Sequence, residues 1–187
     1  MQMPHEASKP QTLILDRIDT PVGETLLLTD ETGALRALDF SDYEDRMRTL
    51  MRRHYGTIAA RTGRAPDKMR NAVERYFCGE MDAFKGLIWK TNGTLFQRRV
   101  WTALCAIKPG QTESYKDLAA RVGSPKGMRA VGLANGANPV AIVVPCHRVI
   151  GANGGLTGYG GGLPRKAWLL AHEGVVIPFP VPDRVRV

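Results

Sequence analysis

A glycine-rich stretch at residues 151–166, GANGGLTGYGGGLPRK, constrains the fold more than any other part of the sequence. Seven of its sixteen residues are glycine. That is too many for a regular helix or strand, because glycine loses the most backbone freedom on folding. The stretch lies between two apolar segments, so it is predicted to be a loop within a compact domain, with its backbone open to close approach. Tyr159 stands among the glycines, where its ring could cover a flat ligand.

The segment before this loop, PVAIVVPCHRVI, contains the best candidate for chemistry. Residues 141–144, AIVV, form an apolar run that predicts a buried strand, which Pro145 would end. Cys146 follows, beside His147 and Arg148. A free thiol has a pKa of about 8.5, and nearby cations favour the reactive thiolate. Cys146 is therefore a candidate nucleophile; the alternative is a small buried side chain.

Length and cysteine content limit the class of protein. A chain of 187 residues makes one domain or two small ones and can bury a core without disulfides. Three widely spaced cysteines argue for a reducing, cytoplasmic compartment and against a disulfide framework. No Cys-x-x-Cys pair is present, so no metal site is expected. No signal peptide and no transmembrane run are predicted.

The positive charge is concentrated in the second half. The net charge is +8. Residues 1–92 contain 14 Lys/Arg and 14 Asp/Glu, whereas residues 93–187 contain 12 Lys/Arg and 4 Asp/Glu. This asymmetry favours a polyanionic partner, most simply nucleic acid, over a basic surface that serves only solubility.

The first half has the pattern of a small unit of strands and helices. Between residues 12 and 40, short apolar runs alternate with turn signals, which predicts a β-meander. Apolar residues recur at helical spacing over 42–55 and 67–78. We therefore expect an N-terminal α/β (or α+β) domain at residues 1–92, of which residues 1–10 are a loose tail.

The second half is mainly helical in pattern. Helices are predicted over residues 96–107, 114–123, 127–138 and 167–174. A short Ser-Pro-Lys turn joins the second and third of these, which is the spacing of a helix-turn-helix. Small residues in the third helix allow close approach to a DNA groove or to another helix. We place this domain at residues 93–176, followed by a tail at 177–187.

A family resemblance rests on these motifs. The sequence PCHRV at 145–149, with NPVAIVV before it and GLTGYGGGLPRKAWLLAHEG after it, resembles the active-site region of the O6-alkylguanine-DNA alkyltransferases, or methylated-DNA–protein-cysteine methyltransferases. The similarity covers roughly residues 94–174. The first half matches only loosely, through TPVG and YFCGE. The resemblance implies a ribonuclease-H-like N-terminal α/β domain and a mostly helical, winged-helix-like C-terminal domain with the helix-turn-helix.

The resemblance also implies an activity. The alkyl group of O6-alkylguanine, and also of O4-alkylthymine, in double-stranded DNA would pass irreversibly to a cysteine, once per molecule, after the nucleotide is flipped out of the duplex. No cofactor is implied. The protein would act as a monomer, with cooperative binding along DNA left open. The implied catalytic residues are Cys146 as acceptor, His147 as base through a water, Glu173 as the partner of His147, Asn138 as a brace of the turn, and Tyr115 as donor to the departing guanine.

The resemblance assigns a second set of residues to DNA and the target base. Arg129 would fill the space of the flipped nucleotide, and Tyr159 would pack against the base. Position 160 holds glycine where some relatives have serine, so we expect a wider pocket that admits larger alkyl groups. The full set is Arg129, Ala130, Gly132, Val149, Tyr159, Gly160, Ser114 and Lys166.

Three other functions remain open from the residues alone. The basic half and the paired helices would also suit a helix-turn-helix regulator without enzymatic activity. A protein that binds alkyl lesions without transfer chemistry is a second alternative, although relatives of that kind lack the acceptor cysteine. A cysteine hydrolase could use the same cysteine, histidine and glutamate. Bifunctional relatives with a cysteine-rich metal domain are excluded by the three cysteines.

Overall fold

The computed structural model of the chain describes residues 11–178, 181 and 183–185. The predicted tail at residues 1–10 lies outside the described residues. Positions 179, 180, 182, 186 and 187 of the predicted C-terminal tail also lie outside them. Within the described part of the chain, no helix is long and apolar enough to cross a membrane.

The first half is built on a four-stranded sheet. Strands β1 (Gln11–Thr20), β2 (Gly23–Asp30) and β3 (Leu35–Phe40) form the antiparallel meander expected over residues 12–40. Strand β4 (Ile58–Thr62) pairs parallel with β1, so the strand order is β3-β2-β1-β4. The sequence did not predict β4, because four of its five side chains are exposed and give no apolar pattern.

Both faces of this sheet are covered. Leu26 and Leu28 of β2 belong to one apolar cluster, which includes Met47 and Met51 of helix α1. Leu27 between them points to the opposite face and joins the main core. The uninterrupted TLLL run of β2 therefore reflects a strand buried on both sides.

Six helices are present among the described residues, and each predicted helix is confirmed. Helix α1 starts two residues later than predicted, after a short 3-10 turn at Ser41–Tyr43. Thr94 and Ser114 accept backbone hydrogen bonds at the starts of α3 and α4. The helices are α1 (Glu44–Tyr55), α2 (Asp67–Phe77), α3 (Leu95–Cys105), α4 (Tyr115–Arg121), α5 (Met128–Gly136) and α6 (Leu163–His172).

Two sequence predictions around the glycine-rich loop were wrong. Helix α6 begins at Leu163, not 167, because Gly162 ends the loop with a φ of +87° and Pro164 fits the first helical turn. Residues 141–144 are buried or half-buried, but they form turns instead of a strand. Ile142 has a φ of +66°, a left-handed conformation that no regular strand contains. The β-branched run had indicated burial, which is only one of the requirements for a strand.

The two halves share one core. The main cluster of buried side chains runs from Ile18 and Leu38 of the sheet to Trp101 of α3 and Leu169 of α6. A two-stranded parallel pair, β5 (Glu113–Ser114) and β6 (Val149–Ile150), then joins the start of α4 to the residues after Cys146. The cysteine therefore lies between the sheet-bearing half and the α4–α5 pair.

Candidate active site

Cys146 opens a short 3-10 helix at Cys146–Arg148, directly after the buried turns. The residue is only 5% exposed. The Nδ2 atom of Asn138 lies 3.1 Å from its Sγ atom and donates a hydrogen bond to it. Burial raises the pKa of the Cys146 thiol, and the Asn138 hydrogen bond and the charges of Arg46 and Lys166 oppose that rise. The resting site therefore holds a protonated thiol, and reaction requires its proton to be removed.

Asn138 braces the turns between α5 and the cysteine. Its Nδ2 also donates to the carbonyl of Val144 at 2.8 Å, and its Oδ1 accepts from the N–H of Val140 at 3.0 Å. The side chain thus spans the segment that contains the left-handed Ile142. Positive φ at a β-branched residue costs about 1–3 kcal/mol and persists only where surrounding contacts impose it. Asn138 supplies such contacts and aims one N–H at sulfur.

His147 and Glu173 form a buried pair beside the thiol residue. The Nε2 atom of His147 lies 2.9 Å from Oε1 of Glu173, and both side chains are fully buried. Arg148 donates two more hydrogen bonds to this carboxylate, at 2.7 and 2.8 Å. The hydroxyl of Tyr76, from α2, donates a further one at 2.7 Å. Sequence reasoning brought His147 and Glu173 together but missed the other two donors.

The protonation states follow from these contacts. Burial alone would raise the pKa of Glu173, but His147 and Arg148 outweigh it and hold that pKa well below its usual range. Burial lowers the pKa of His147, against the attraction of Glu173. A neutral His147 facing a carboxylate must carry its proton on Nε2, because the carboxylate can only accept. Its Nδ1 is then a lone-pair acceptor, and it has no partner among the described residues.

Two buried cations, Lys166 and Arg165, donate hydrogen bonds to the backbone of the glycine-rich loop. Lys166 is fully buried, and its Nζ donates to the carbonyls of Val149 at 2.6 Å and Thr157 at 2.7 Å. Burial lowers the pKa of Lys166 to about 8. Arg165 donates to the carbonyls of Val22 and Gly161 and pairs with Asp42. Lys166 was predicted to bind DNA or the target base, but it is fully buried and its ammonium binds the protein's own backbone, so direct contact with DNA does not fit this position.

Two tyrosines and Gly160 stand near the thiol. The Tyr115 hydroxyl lies 3.4 Å from Nδ2 of Asn135 and 3.5 Å from the carbonyl of Gly158. The ring of Tyr159 meets that of His147 edge-on at 6.5 Å, and its buried hydroxyl has no partner among the described residues. A side chain at position 160 would collide with the guanidinium of Arg46. Gly160 therefore leaves room for the guanidinium of Arg46, and the wider pocket expected from this glycine stays a prediction.

Helix α5 presents a distinct outer face. Arg129 and Ala130 are exposed, and Leu133 is 76% exposed, while Val131 and Ala134 pack inward. Gly132 is half-buried near the Tyr115 ring. Ser114, predicted to contact DNA, uses its hydroxyl to cap α4: it accepts from the N–H of Asp117 at 3.1 Å and donates to that side chain at 2.6 Å.

Burial also refines the charge argument. Among the cations of the second half, Arg148, Arg165 and Lys166 are 7% exposed or less. These three serve the interior of the site and cannot attract a polyanion directly. Exposed cations of this half include Arg129 on α5 and Lys126 in the turn before it. The basic surface is therefore narrower than composition indicated, and part of it lies at the paired helices.

Together these features define a thiol protein in which one buried cysteine, an amide donor and a His–Glu pair adjoin paired helices with an exposed, arginine-bearing face. Residues 95–175 match the sequence model of the family described as 6-O-methylguanine DNA methyltransferase, DNA binding domain. A methylated-DNA–protein-cysteine methyltransferase of Salmonella typhimurium is 47% identical over 171 residues, covering 88% of this chain and 98% of that protein. One of Methanosarcina barkeri is 42% identical, covering 84% and 95%.

Solved structures also match this chain. The crystal structure of Mycobacterium tuberculosis OGT in complex with DNA matches with a TM-score of 0.73 and 40% identity, covering 86% of this chain and 92% of that one. The O6-methylguanine-DNA methyltransferase of Pyrococcus kodakaraensis matches with a TM-score of 0.71 and 25% identity, covering 87% and 99%. The chain belongs to the methylated-DNA–protein-cysteine methyltransferase family. The resemblance stated from the motifs and the mixed α/β fold are confirmed.

Proposed function

We propose that this protein repairs DNA by moving an alkyl group from O6 of guanine onto Cys146. The observation that carries the proposal is the arrangement around sulfur. Sγ accepts a hydrogen bond from Asn138, and the adjacent His147 is held by Glu173, while its Nδ1 lone pair has no partner in the described part of the chain. This is a nucleophile, a base and a residue that orients the base, applied to a thiol. We extend the substrate range to O4-alkylthymine.

The reaction needs one proton removed and one bond exchanged. The Cys146 proton passes to Nδ1 of His147 through a water, and Glu173 stabilises the resulting imidazolium through its contact with Nε2. The thiolate then attacks the alkyl carbon, the carbon–O6 bond breaks, and its electron pair stays with guanine. Tyr115 donates a hydrogen bond to the departing base. The product is a thioether on Cys146, so each protein molecule reacts only once.

DNA binding is assigned to α5. Its exposed Arg129 and Ala130 and the small Gly132 suit a helix that enters the minor groove, with Arg129 filling the space of the extruded nucleotide. Because the thiol is 5% exposed, the target base must leave the duplex to reach it. Flipping costs a few kcal/mol, which phosphate contacts independent of sequence offset. Val149, Tyr159 and Gly160 would line the base site.

We also propose the finer architecture. The sheet, with β4 parallel to β1, supports a ribonuclease-H-like unit at residues 1–92, and the α4–α5 pair supports a winged-helix-like unit at 93–176. We propose a monomer that works in the cytoplasm, where thiols stay reduced. Cooperative binding along DNA is a further property, which a titration of DNA with the protein would measure.

The test is intact-protein mass after incubation with a duplex that carries one O6-methylguanine. We expect a gain of one methyl per molecule, mapped to Cys146, and no gain in Cys146→Ser. The exposed Cys105 supplies the matched control, because Cys105→Ser should behave as the native protein. Lesion-dependent binding without a mass gain would indicate a lesion sensor. Released product with unmodified cysteine would indicate a hydrolase. Neither mass gain nor lesion preference would leave a helix-turn-helix regulator.

A further inference from the structure

One arginine of the first half reaches the neighbourhood of the thiol. Arg46 lies on α1, and its Nη1 pairs with the carboxylate of Asp39, which is 1% exposed at the end of β3. Its Nη2 donates to the carbonyl of Gly136 at 2.7 Å and to that of Asn138 at 3.3 Å. Arg46 thus joins the sheet-bearing half to the end of α5 and to the residue that hydrogen-bonds Cys146.

The same guanidinium also stands against the glycine-rich loop. A Cβ atom on Gly160 would lie closer to Nη2 and Cζ of Arg46 than non-bonded atoms approach. The backbone at Gly160 is not left-handed, so the guanidinium of Arg46 is the group that a side chain there would have to displace. Arg46 therefore touches three segments at once: the end of α5, the Asn138 turn and the loop.

The charge of Arg46 acts in the direction that the reaction needs. Arg46 and Lys166 both favour the thiolate form of Cys146, and Asp39 opposes it. The buried His147 is neutral in the resting state, so it adds no charge of its own. Because Arg46 is paired with the carboxylate of Asp39, its contribution to the reaction is mainly to fix the positions of the groups that it contacts.

We propose that Arg46 is a positioning residue for alkyl transfer, which keeps the side-chain amide of Asn138 aimed at sulfur while α5 binds DNA and the Gly160 loop lines the base site. The proposal rests on the proposed function. Arg46 touches no reacting atom, so its effect passes through Asn138 and the loop. It predicts that the first half, which contains no part of the recognised motifs around Cys146, controls the rate of the chemical step.

The experiment measures single-turnover transfer from an O6-methylguanine duplex over a range of DNA concentrations. For Arg46→Ala we expect the rate at saturating DNA to fall by about tenfold or more, since small misplacements of reacting groups have effects of this size. The DNA concentration at half-saturation should change much less, because the exposed face of α5 is intact. Arg46→Lys keeps the charge but has its donors on a single nitrogen, so it cannot reach all the partners of the guanidinium and should recover part of the rate.

Arg48→Ala is the matched control. Arg48 lies on the same helix and pairs with Glu44 at the surface, away from the thiol. It should transfer at the native rate. Active-protein titration with excess duplex corrects every rate for any misfolded fraction. A native saturating rate in Arg46→Ala would overturn the proposal, and so would an equal loss in Arg48→Ala.

Gly160→Ser provides a second route to the same answer, with the arginine present. Its side chain should displace the guanidinium, slow transfer in the native background, and slow it little further in Arg46→Ala. Independent, additive losses would overturn the proposal. Failure of the underlying function looks different, because the native protein itself would then show no methyl transfer in the same assay.

Discussion

The two halves of the molecule contribute to the site in different ways. The second half supplies the groups assigned to the chemistry: Cys146, His147, Asn138 and Glu173. The first half supplies groups that hold them: Tyr76 donates to Glu173 at 2.7 Å, and Arg46 binds the carbonyl of Asn138. The first set lies in a contiguous motif that a reader of the sequence can find. The second set lies on α1 and α2 and belongs to no motif. A motif therefore points to the residues assigned to the reaction, but not to the residues that hold them in position.

The largest expected effect tests the cluster that joins the halves at Glu173. Glu173→Gln would leave the guanidinium of Arg148, which is 7% exposed, without its counter-charge. We expect the free energy of unfolding in urea to fall by about 3–5 kcal/mol, because an unpaired buried charge is strongly unfavourable. Glu80→Gln, which breaks an exposed pair with Arg75, is the control and should leave the urea midpoint unchanged. Equal effects would show that the buried cluster has no special role.

Alkylation of the thiol, which belongs to the second half, should destabilise the protein. The thioether adds carbon to a site where Cys146 is 5% exposed and already contacts Asn138. Overpacking of this kind costs about 1–3 kcal/mol. Calorimetry of fully methylated protein should therefore give a lower Tm than that of free protein. An unchanged Tm after complete alkylation would contradict the prediction.

The pH dependence of stability separates two histidines, one in each half. Burial lowers the pKa of His147 and of the half-buried His54. The unfolded chain takes up these protons near pH 6.5, while the folded chain resists, so stability falls as pH drops below about 6.5. The slope is at most about 1.4 kcal/mol per pH unit for each group. The lowered pKa of Glu173 adds a loss only in more acidic solution.

Urea midpoints at neutral and mildly acidic pH measure this slope. His147→Gln should flatten it more than His54→Gln, because His147 is fully buried and His54 only partly. If His54→Gln flattened the slope equally, burial would not be the cause of the difference between the two sites.

The smallest effect concerns the hydroxyl that the first half sends to Glu173. Tyr76→Phe removes one of the four hydrogen bonds that the described residues make to that carboxylate, and it leaves the ring in place. We expect a loss of about 1 kcal/mol in unfolding free energy and a small decrease in transfer rate. Tyr55→Phe, whose hydroxyl donates to the carbonyl of Lys90 at a more exposed position, is the comparison. A larger rate loss in Tyr55→Phe would show that the hydrogen bond from Tyr76 to Glu173 is not what sets the transfer rate.

Local pattern determined a large part of this protein. The three-stranded meander, the six helices, the glycine-rich loop and the family were all readable, because periodicity, caps and a contiguous motif are local properties of a chain. The adjacency of His147 and Glu173 also followed from the motif. The turns at residues 141–144 were misread, since burial and strand pairing are separate requirements and Asn138 satisfies this backbone in another way.

Tertiary structure alone decided which distant groups meet at the thiol. Tyr76 and Glu173 are 97 positions apart, and Arg46 and Asn138 are 92 apart. No sequence period encodes such contacts, because they arise only when the two halves bury a common core. Packing also buried Lys166. A net charge counted from composition treats its ammonium as if it faced solvent. The sequence thus indicated the groups that we propose to react, and the fold decided how they are held and which charges remain for a partner.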